Sequence, residues 1–280
     1  MQRAVSFLLS WPSSFYVPMK VIQHRLPDFD KLEILPLADL HLGDIRSDGK
    51  KIMEWLSYIQ NTPNCYTILN GDLMDTATRT SVGAGVYQAA LQPMEQLAQC
   101  VKLFGPIAEA GKILAVTSGN HEARVFKNDG LDSTAMMCAQ LKIEHLYSPT
   151  SALIFIQFGK QNGHKNHWPV LYSIYCVHGT GAGGRKEGGK INRLADLAEI
   201  VDADIFLMSH THLPAIMRNS FHRVDRRHCT VQKVDRLFIN TSSTLEYAGG
   251  YGELYSFKPN SLETPMIILS GRERKMQAIL

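Results

Sequence analysis

Five short stretches of this 280-residue chain carry side chains able to do coordination or acid–base chemistry. They are Asp39-Leu40-His41, Gly71-Asp72-Leu73-Met74-Asp75, Gly119-Asn120-His121-Glu122, His178-Gly179 and Ser209-His210-Thr211-His212. Aspartate, asparagine and histidine offer hard or borderline oxygen and nitrogen donors, which suit divalent manganese, zinc or iron better than ions that seek thiolate. On an extended chain, the i, i+2 spacing of Asp39 with His41 and of His210 with His212 puts each pair on one side. A lone DxH or HxH says little, because isolated histidines are mostly surface or core residues. The weight comes from five such pieces in order, each at the end of an apolar run.

Those runs are the elements that must position the chemistry. Leu32–Ala38, Tyr66–Asn70, Ile113–Thr117, Ala152–Phe158, Val170–Val177 and Asp204–Met208 read as strands, with Pro36 a mark against a central strand at the first. Helical spacing appears at Ile52, Trp55, Leu56 and Ile59, across 86–109, at Ser133–Leu141 and at Ile191–Val201. Further strands are expected near 214–219, 229–234 and 236–241. Alternation early and strands later predict an α/β chain, a mixed sandwich with helices outside, and ligands gather at the carboxyl ends of such strands. No internal repeat or long linker divides the chain. A single domain is expected over 19–280, preceded by a poorly ordered extension, 1–18, whose short apolar run is broken at Trp11-Pro12.

The ordered set resembles the calcineurin-like metallophosphoesterase superfamily, whose pattern is DxH, GDxxD, GNH(E/D), H and GHxH, over about Asp39 to His212. Thr78-Arg79-Thr80-Ser81, Gly119–Arg124 and Tyr247-Ala248-Gly249-Gly250-Tyr251 are similar to phage-borne and bacterial members. Ser209 stands where the family usually has glycine; being small, it is expected to add at most a hydrogen bond. The resemblance implies a four-layer sandwich of two mixed sheets flanked by helices. It also implies two divalent cations, manganese first and iron, zinc or nickel accepted by the same donors. One would be held by Asp39, His41, Asp72 and His212, the other by Asp72, Asn120, His178 and His210, with Asp72 bridging. The implied reaction is hydrolysis of a phosphoester by water activated between the cations. His121 would serve the leaving oxygen and Asp75 would orient its imidazole.

Other features admit two readings each. Arg79 and Arg124, close to the motifs, are either phosphate clamps or structural ion-pair partners. Gly184-x4-Gly189-Lys190 approaches a phosphate-binding loop but has Ile191 where Ser or Thr is required. It reads instead as a flexible loop bordering the site, with Arg185, Lys186 and Lys190 in reach of substrate phosphates. Arg218–His228 holds four arginines and two histidines against one aspartate. It is a solvated face or a contact for a nucleic-acid backbone. Glu122 reads as structural support, and His24, His145, His164, His167, His222 and His228 as surface residues.

Composition narrows the class. With 45% hydrophobic residues and a net charge of +3, the chain is neither disordered nor basic enough to imply nucleic acid by charge alone. Five scattered cysteines, never in CxxC spacing, read as buried free thiols in a reducing compartment, and no run approaches a membrane span. A cytoplasmic phosphodiesterase, with nucleases among the options, is the leading expectation. A phosphomonoesterase acting on a small metabolite or nucleotide is the alternative, and a non-catalytic binding protein on the same scaffold comes third. Asp75-Thr76-Ala77 and Ser118-Gly119 lack the arginines of the protein Ser/Thr phosphatases.

Overall fold

In chain order, β1 (Lys20–Arg25) and β2 (Lys31–Ile34) lead to α1 (Gly49–Asn61), β3 (Cys65–Asn70), α2 (Pro93–Glu109), β4 (Ile113–Thr117), α3 (Asn120–Asp129) and α4 (Ser133–Gln140). There follow β5 (Tyr147–Ser148), β6 (Ser151–Phe158), β7 (Val170–Val177), α5 (Glu187–Asp196), β8 (Ile205–Met208), β9 (Ala215–Asp225), β10 (Thr230–Asn240), β11 (Met266–Ser270) and β12 (Met276–Ile279). The structure is a computed structural model that describes residues 19–78, 81, 87, 89–159, 169–181, 186–249, 253, 256, 258–259 and 261–280.

Two six-stranded mixed sheets result, ordered β1-β6-β7-β8-β10-β9 and β12-β11-β2-β3-β4-β5. In the second sheet β2, β3, β4 and β5 run parallel. In the first, β7, β8 and β10 do. Parallel strands point their carboxyl ends the same way, and this is what delivers the five motifs to one edge. The strands are buried on both faces, as the unbroken burial of β3, β4 and β8 requires. Ile34, Ile68 and Val116 join Ile154, Ile174 and Ile205 in one apolar core. On the far side of the first sheet, Leu194 of α5 and Leu197 pack with Tyr175, Phe206 and Phe238.

The anticipated face of α1 is buried, and Asp48 caps the helix by accepting the Lys50 and Lys51 amides. The helix expected across 86–109 begins only at Pro93. Proline suits a first helical position because its missing N–H has no partner there anyway, and it holds Gln92 extended. The first strand is regular only to Ile34. Pro36 interrupts it, yet the Leu35 and Leu37 amides still donate to Tyr66 and Ile68.

Other expectations are corrected. The segments 229–234 and 236–241 are one strand, β10, paired along its whole length with β9, and β9 itself runs on to Asp225 rather than ending at 219. Asp235, the apparent break, sits in the ladder opposite Ser220. Helix α5 starts at Glu187, before the two glycines, and ends at Asp196 in a 3-10 turn, Leu197–Glu199. The strands β1 and β5 and helix α3 were not anticipated, and the tail after residue 243, readable as a cap, an interface or an edge strand, supplies β11 and the edge strand β12. Helix α3 buries only Glu122, so it has no apolar stripe to read. Cys229 is exposed while Cys65, Cys100, Cys138 and Cys176 are buried. His24 is half-buried, bonded at 2.7 Å to the Leu114 carbonyl, and burial lowers its pKa. Among the described residues, no helix is long and apolar enough to cross a membrane.

Candidate metal centre

Each motif lies just beyond its strand, where the chain turns sharply. Asp39, His41, Asp72, His210 and His212 all have positive φ, between 46° and 68°. The extended geometry expected of the DxH and HxH pairs is therefore corrected. A left-handed residue at each position folds the side chains inward, at a cost of about 1–2 kcal/mol per residue. Backbone pairing holds these turns together. The Asp39 amide donates to Gly71 O and the His41 amide to Asp72 O, so the first two motif loops run side by side.

The side chains converge from both sheets. Asp39, His41 and His212 form one cluster, and Asp72, His178 and His210 another, with ligand atoms within 4.8 Å of one another in each. His212 Nε2 lies 3.2 Å from Asp39 Oδ1, and His178 Nε2 lies 3.1 Å from Asp72 Oδ2. Asn120, at the first turn of α3, brings Oδ1 to 3.2 Å from His178 Nε2. All seven side chains implied as ligands by resemblance thus gather at one place. A third grouping, His41, Asp72 and His121, brings His121 to the same centre.

Around this cluster the hydrogen bonds decide which atoms remain free. The His178 Nδ1 proton goes to Asn70 O at 2.8 Å, which leaves Nε2 as the ring atom that faces Asp72. One oxygen of Asp72 accepts the His121 amide at 2.8 Å, and one oxygen of Asp39 accepts the His210 amide at 2.9 Å. Among the described residues, Asp39 Oδ1, fully buried, has no hydrogen-bond partner, nor has His41 Nδ1. A buried carboxylate oxygen left bare is costly unless a cation meets it, and the donor set around it is the borderline oxygen–nitrogen mix that divalent ions accept. The residues therefore fit the metal ions that the motifs imply.

The field at the centre is strongly negative. Burial alone would raise the Asp72 carboxyl, but the neighbouring His178 and His121 hold it well below the usual range. Burial likewise opposes protonation of His178, yet the Asp72 and Asp39 charges push it up to about 10. Two aspartates at the core thus call for positive charge.

Several residues hold the motif loops in place. Glu122, fully buried, accepts three backbone amides: Asp72 and Gly119 on Oε2 and Met74 on Oε1. It ties two motif loops together, in keeping with the structural role expected of it. At Gly119 an added Cβ would stand 2.1 Å from Asp72 Oδ1, so no side chain fits there. Asn70 donates to Val177 O and to Ser209 Oγ while accepting from Thr117, linking the ends of β3, β4 and β7 to the loop after β8. Ser209 thus provides the hydrogen bond anticipated for it. The buried run 241–244 also serves the site, for Ser243 Oγ donates to Asp39 O and Thr244 Oγ1 to Leu40 O. Four hydroxyl residues following the apolar end of β10 were its only sequence signal.

Of the cationic candidates, Arg124 donates from Nη1 to Ser81 Oγ, and its buried Nε and Nη2 have no hydrogen-bond partner among the described residues. Lys190 donates to the Thr211 carbonyl, between His210 and His212, at 2.9 Å. Lys186 is exposed. Arg79, Arg185, His164 and His167 lie outside the described residues, as do the 1–18 extension and Gly250-Tyr251. His145, His222 and His228 are exposed, as expected.

Two sheets that send acidic, amide and imidazole side chains to one metal-ready edge define a metal-dependent hydrolase scaffold. The family model described as calcineurin-like phosphoesterase matches residues 34–236, and the chain belongs to that family. Similar solved structures include a predicted phosphoesterase from Streptococcus pneumoniae, with 14% identity, a TM-score of 0.35 and 90% of each chain covered. A metallophosphoesterase from Sphaerobacter thermophilus has 12% identity and a TM-score of 0.35, with 89% of this chain and 88% of the other covered. A Vps29 variant from Entamoeba histolytica has 12% identity and the same TM-score, with 89% and 98% covered. No curated protein matches the chain.

Proposed function

We propose that this phosphoesterase hydrolyses phosphodiesters. The observation that carries the reading is the placement of His121. Its Nδ1 lies 2.9 Å from the Asp75 carbonyl and 3.1 Å from Asp75 Oδ1. A carbonyl only accepts, so Nδ1 carries a proton and Nε2 is the exchangeable position. Nε2 faces Asp72 Oδ2 at 3.8 Å, on a ring that keeps an exposed edge. An imidazole fixed in this way suits protonation of an alkoxide leaving group, which a diester produces.

In the proposed reaction Asp39, His41, Asp72 and His212 would hold one divalent cation, and Asp72, Asn120, His178 and His210 would hold the other. Such cations supply the charge that activates water and offsets the phosphoryl oxygens. The chain's own part is orientation and proton transfer. Asp75 holds the His121 ring, and His121 Nε2 passes its proton to the leaving oxygen as the phosphorus–oxygen bond breaks. Arg124, with two nitrogens that lack a hydrogen-bond partner among the described residues, and Lys190 are the cations that would meet substrate phosphate oxygens.

The test compares a chromogenic phosphodiester with the corresponding monoester under added manganese, then repeats both with a chelator. Diester preference abolished by chelation supports the reading. Monoester preference replaces it with the phosphomonoesterase alternative, and silence with every metal points to a binding protein.

A further inference from the structure

The hairpin of β9 and β10 is longer than the sheet it belongs to. Only Leu237–Asn240 of β10 pairs with β8, while β9 and β10 stay paired from Ala215–Asn240 out to Asp225–Thr230. The outer half is thus a two-stranded ribbon, and at about 3.4 Å per residue its tip lies about 35 Å from the Ala215–Asn240 end beside the metal centre. Isolated two-stranded ribbons are marginal in water, so this one needs support. On the face it shares with Phe238, Arg223 and Arg236 both bond to Asp202, and the Arg236 guanidinium lies 4.2 Å over the Phe221 ring. Arg218 bonds to the Met276 carbonyl of β12. Those three cations have structural work.

The remainder do not. Arg226 and Arg227 in the turn and Lys233, on the face opposite Arg236, are exposed, and among the described residues none forms a salt bridge, Lys233 acting on Asp235 only at longer range. Between 218 and 236 there are six arginines and lysines against two aspartates, a net +4, while the whole chain carries only +3. Positive charge is therefore concentrated on this ribbon and balanced elsewhere. Like charges at the tip disfavour pairing of the hairpin with a second copy. The shape narrows the partner further, because a two-stranded ribbon fits the major groove of a duplex, about 12 Å wide. The exposed Val224–Val231 pair, adjacent to the turn, adds an apolar step that groove edges accept.

We infer that the outer half of the β9–β10 hairpin is an arm that grips the backbone of duplex nucleic acid, independently of sequence, about one helical turn from the metal centre. The choice of polymer rests on the phosphodiester reading above. The arm would hold a long substrate while a distant segment occupies the site.

The experiment measures fluorescence anisotropy of a labelled 20-base-pair duplex with chelated protein, from 50 to 300 mM salt, so that hydrolysis plays no part. The wild-type chain is expected to bind. The triple variant Arg226→Ser, Arg227→Ser, Lys233→Ser is expected to bind at least tenfold more weakly, with the slope of log affinity against log salt reduced by about 2–3. Its melting temperature and its turnover of a small chromogenic diester should match the wild type, and Lys233→Ser alone, should the triple variant misfold, should lower the slope by about 1. No duplex binding at 50 mM salt overturns the inference, as do equal affinities and slopes in the two proteins. So does tighter, arm-dependent binding to anionic vesicles, or a dimer that the variant abolishes. Arm-dependent duplex binding without diester turnover would remove the proposed function and leave the arm. Turnover with arm-independent binding would do the reverse.

Discussion

The backbone amide of His210 donates to Asp39 Oδ2 at 2.9 Å, so an amide following a strand of one sheet orients a carboxylate following a strand of the other. The seven proposed ligands divide the same way, four from the β2–β3–β4 side and three from β7 and β8. An ion bound among them cross-links the sheets, and its removal is expected to loosen both. At a hundredfold excess over Kd, a ligand specific for the native state adds about 2.7 kcal/mol. Chelation should therefore lower the melting temperature measurably, and restored manganese should recover it. Indifference of the unfolding curve to chelator and metal alike would mean that the cluster binds no ion.

Asp72 and His121 sit 3.8 Å apart at their nearest carboxylate–imidazole approach but have different tasks in the proposed site. Asp72→Ala removes a carboxylate shared by both cation positions and should empty the site. His121→Ala should keep its metal and lose turnover by the 10²- to 10⁴-fold typical of general acid–base catalysis. Metal analysis and kinetics on the same preparations separate the two, and equal depletion in both variants would refute the division.

The chemistry was more legible in the sequence than its support. Motif side chains follow buried parallel strands, and such strands read as apolar runs, so Asp39, Asp72, His178 and His210 could be located by the runs that precede them. The conformation of those residues could not. Whether His41 is extended or left-handed depends on the Gly71–Leu73 backbone lying beside it, which is a tertiary fact. Helix α3 escaped for a similar reason: its one buried residue is Glu122, whose structural role could be read but which gives no apolar periodicity to mark a helix. The hydroxyl run at 241–244 has no periodicity, and its acceptors, Asp39 O and Leu40 O, are two hundred residues away in sequence.

Away from the site, Tyr58 Oη donates to Glu33 Oε2 at 2.6 Å. Burial raises the Glu33 carboxyl, but the bonds from Lys31 and Tyr58 outweigh it and leave the pKa below the ordinary 4.5. Tyr58, exposed but bonded to that carboxylate, is pushed up to about 12. The sign follows for each group. A lowered carboxyl gives stability that is whole above 4.5 and is lost as pH falls through the folded value. A raised phenol gives stability that is whole below 10 and is lost as pH climbs through about 12. Tyr58→Phe is expected to cost about 1 kcal/mol at pH 7, reduced by the exposure of the tyrosine. The difference from wild type should shrink below pH 4, which urea unfolding at pH 3, 5 and 7 would read.

Glu122 offers the sharpest test of how the centre is held. Its two oxygens accept amides from Asp72, Met74 and Gly119, so both are fully committed as acceptors. Glu122→Gln preserves size but turns one oxygen into a donor facing at least one amide. A buried donor left without an acceptor costs about 1–3 kcal/mol, and here the donor displaces the turn that carries Asp72. The variant should therefore unfold at lower denaturant and also bind manganese more weakly, although Glu122 is not among the proposed ligands. Burial and the Asp72 charge raise the Glu122 pKa, and the amides it accepts oppose that rise. A variant with unchanged metal affinity but reduced stability would confine Glu122 to holding the fold. Unchanged values of both would mean the three amides find other acceptors.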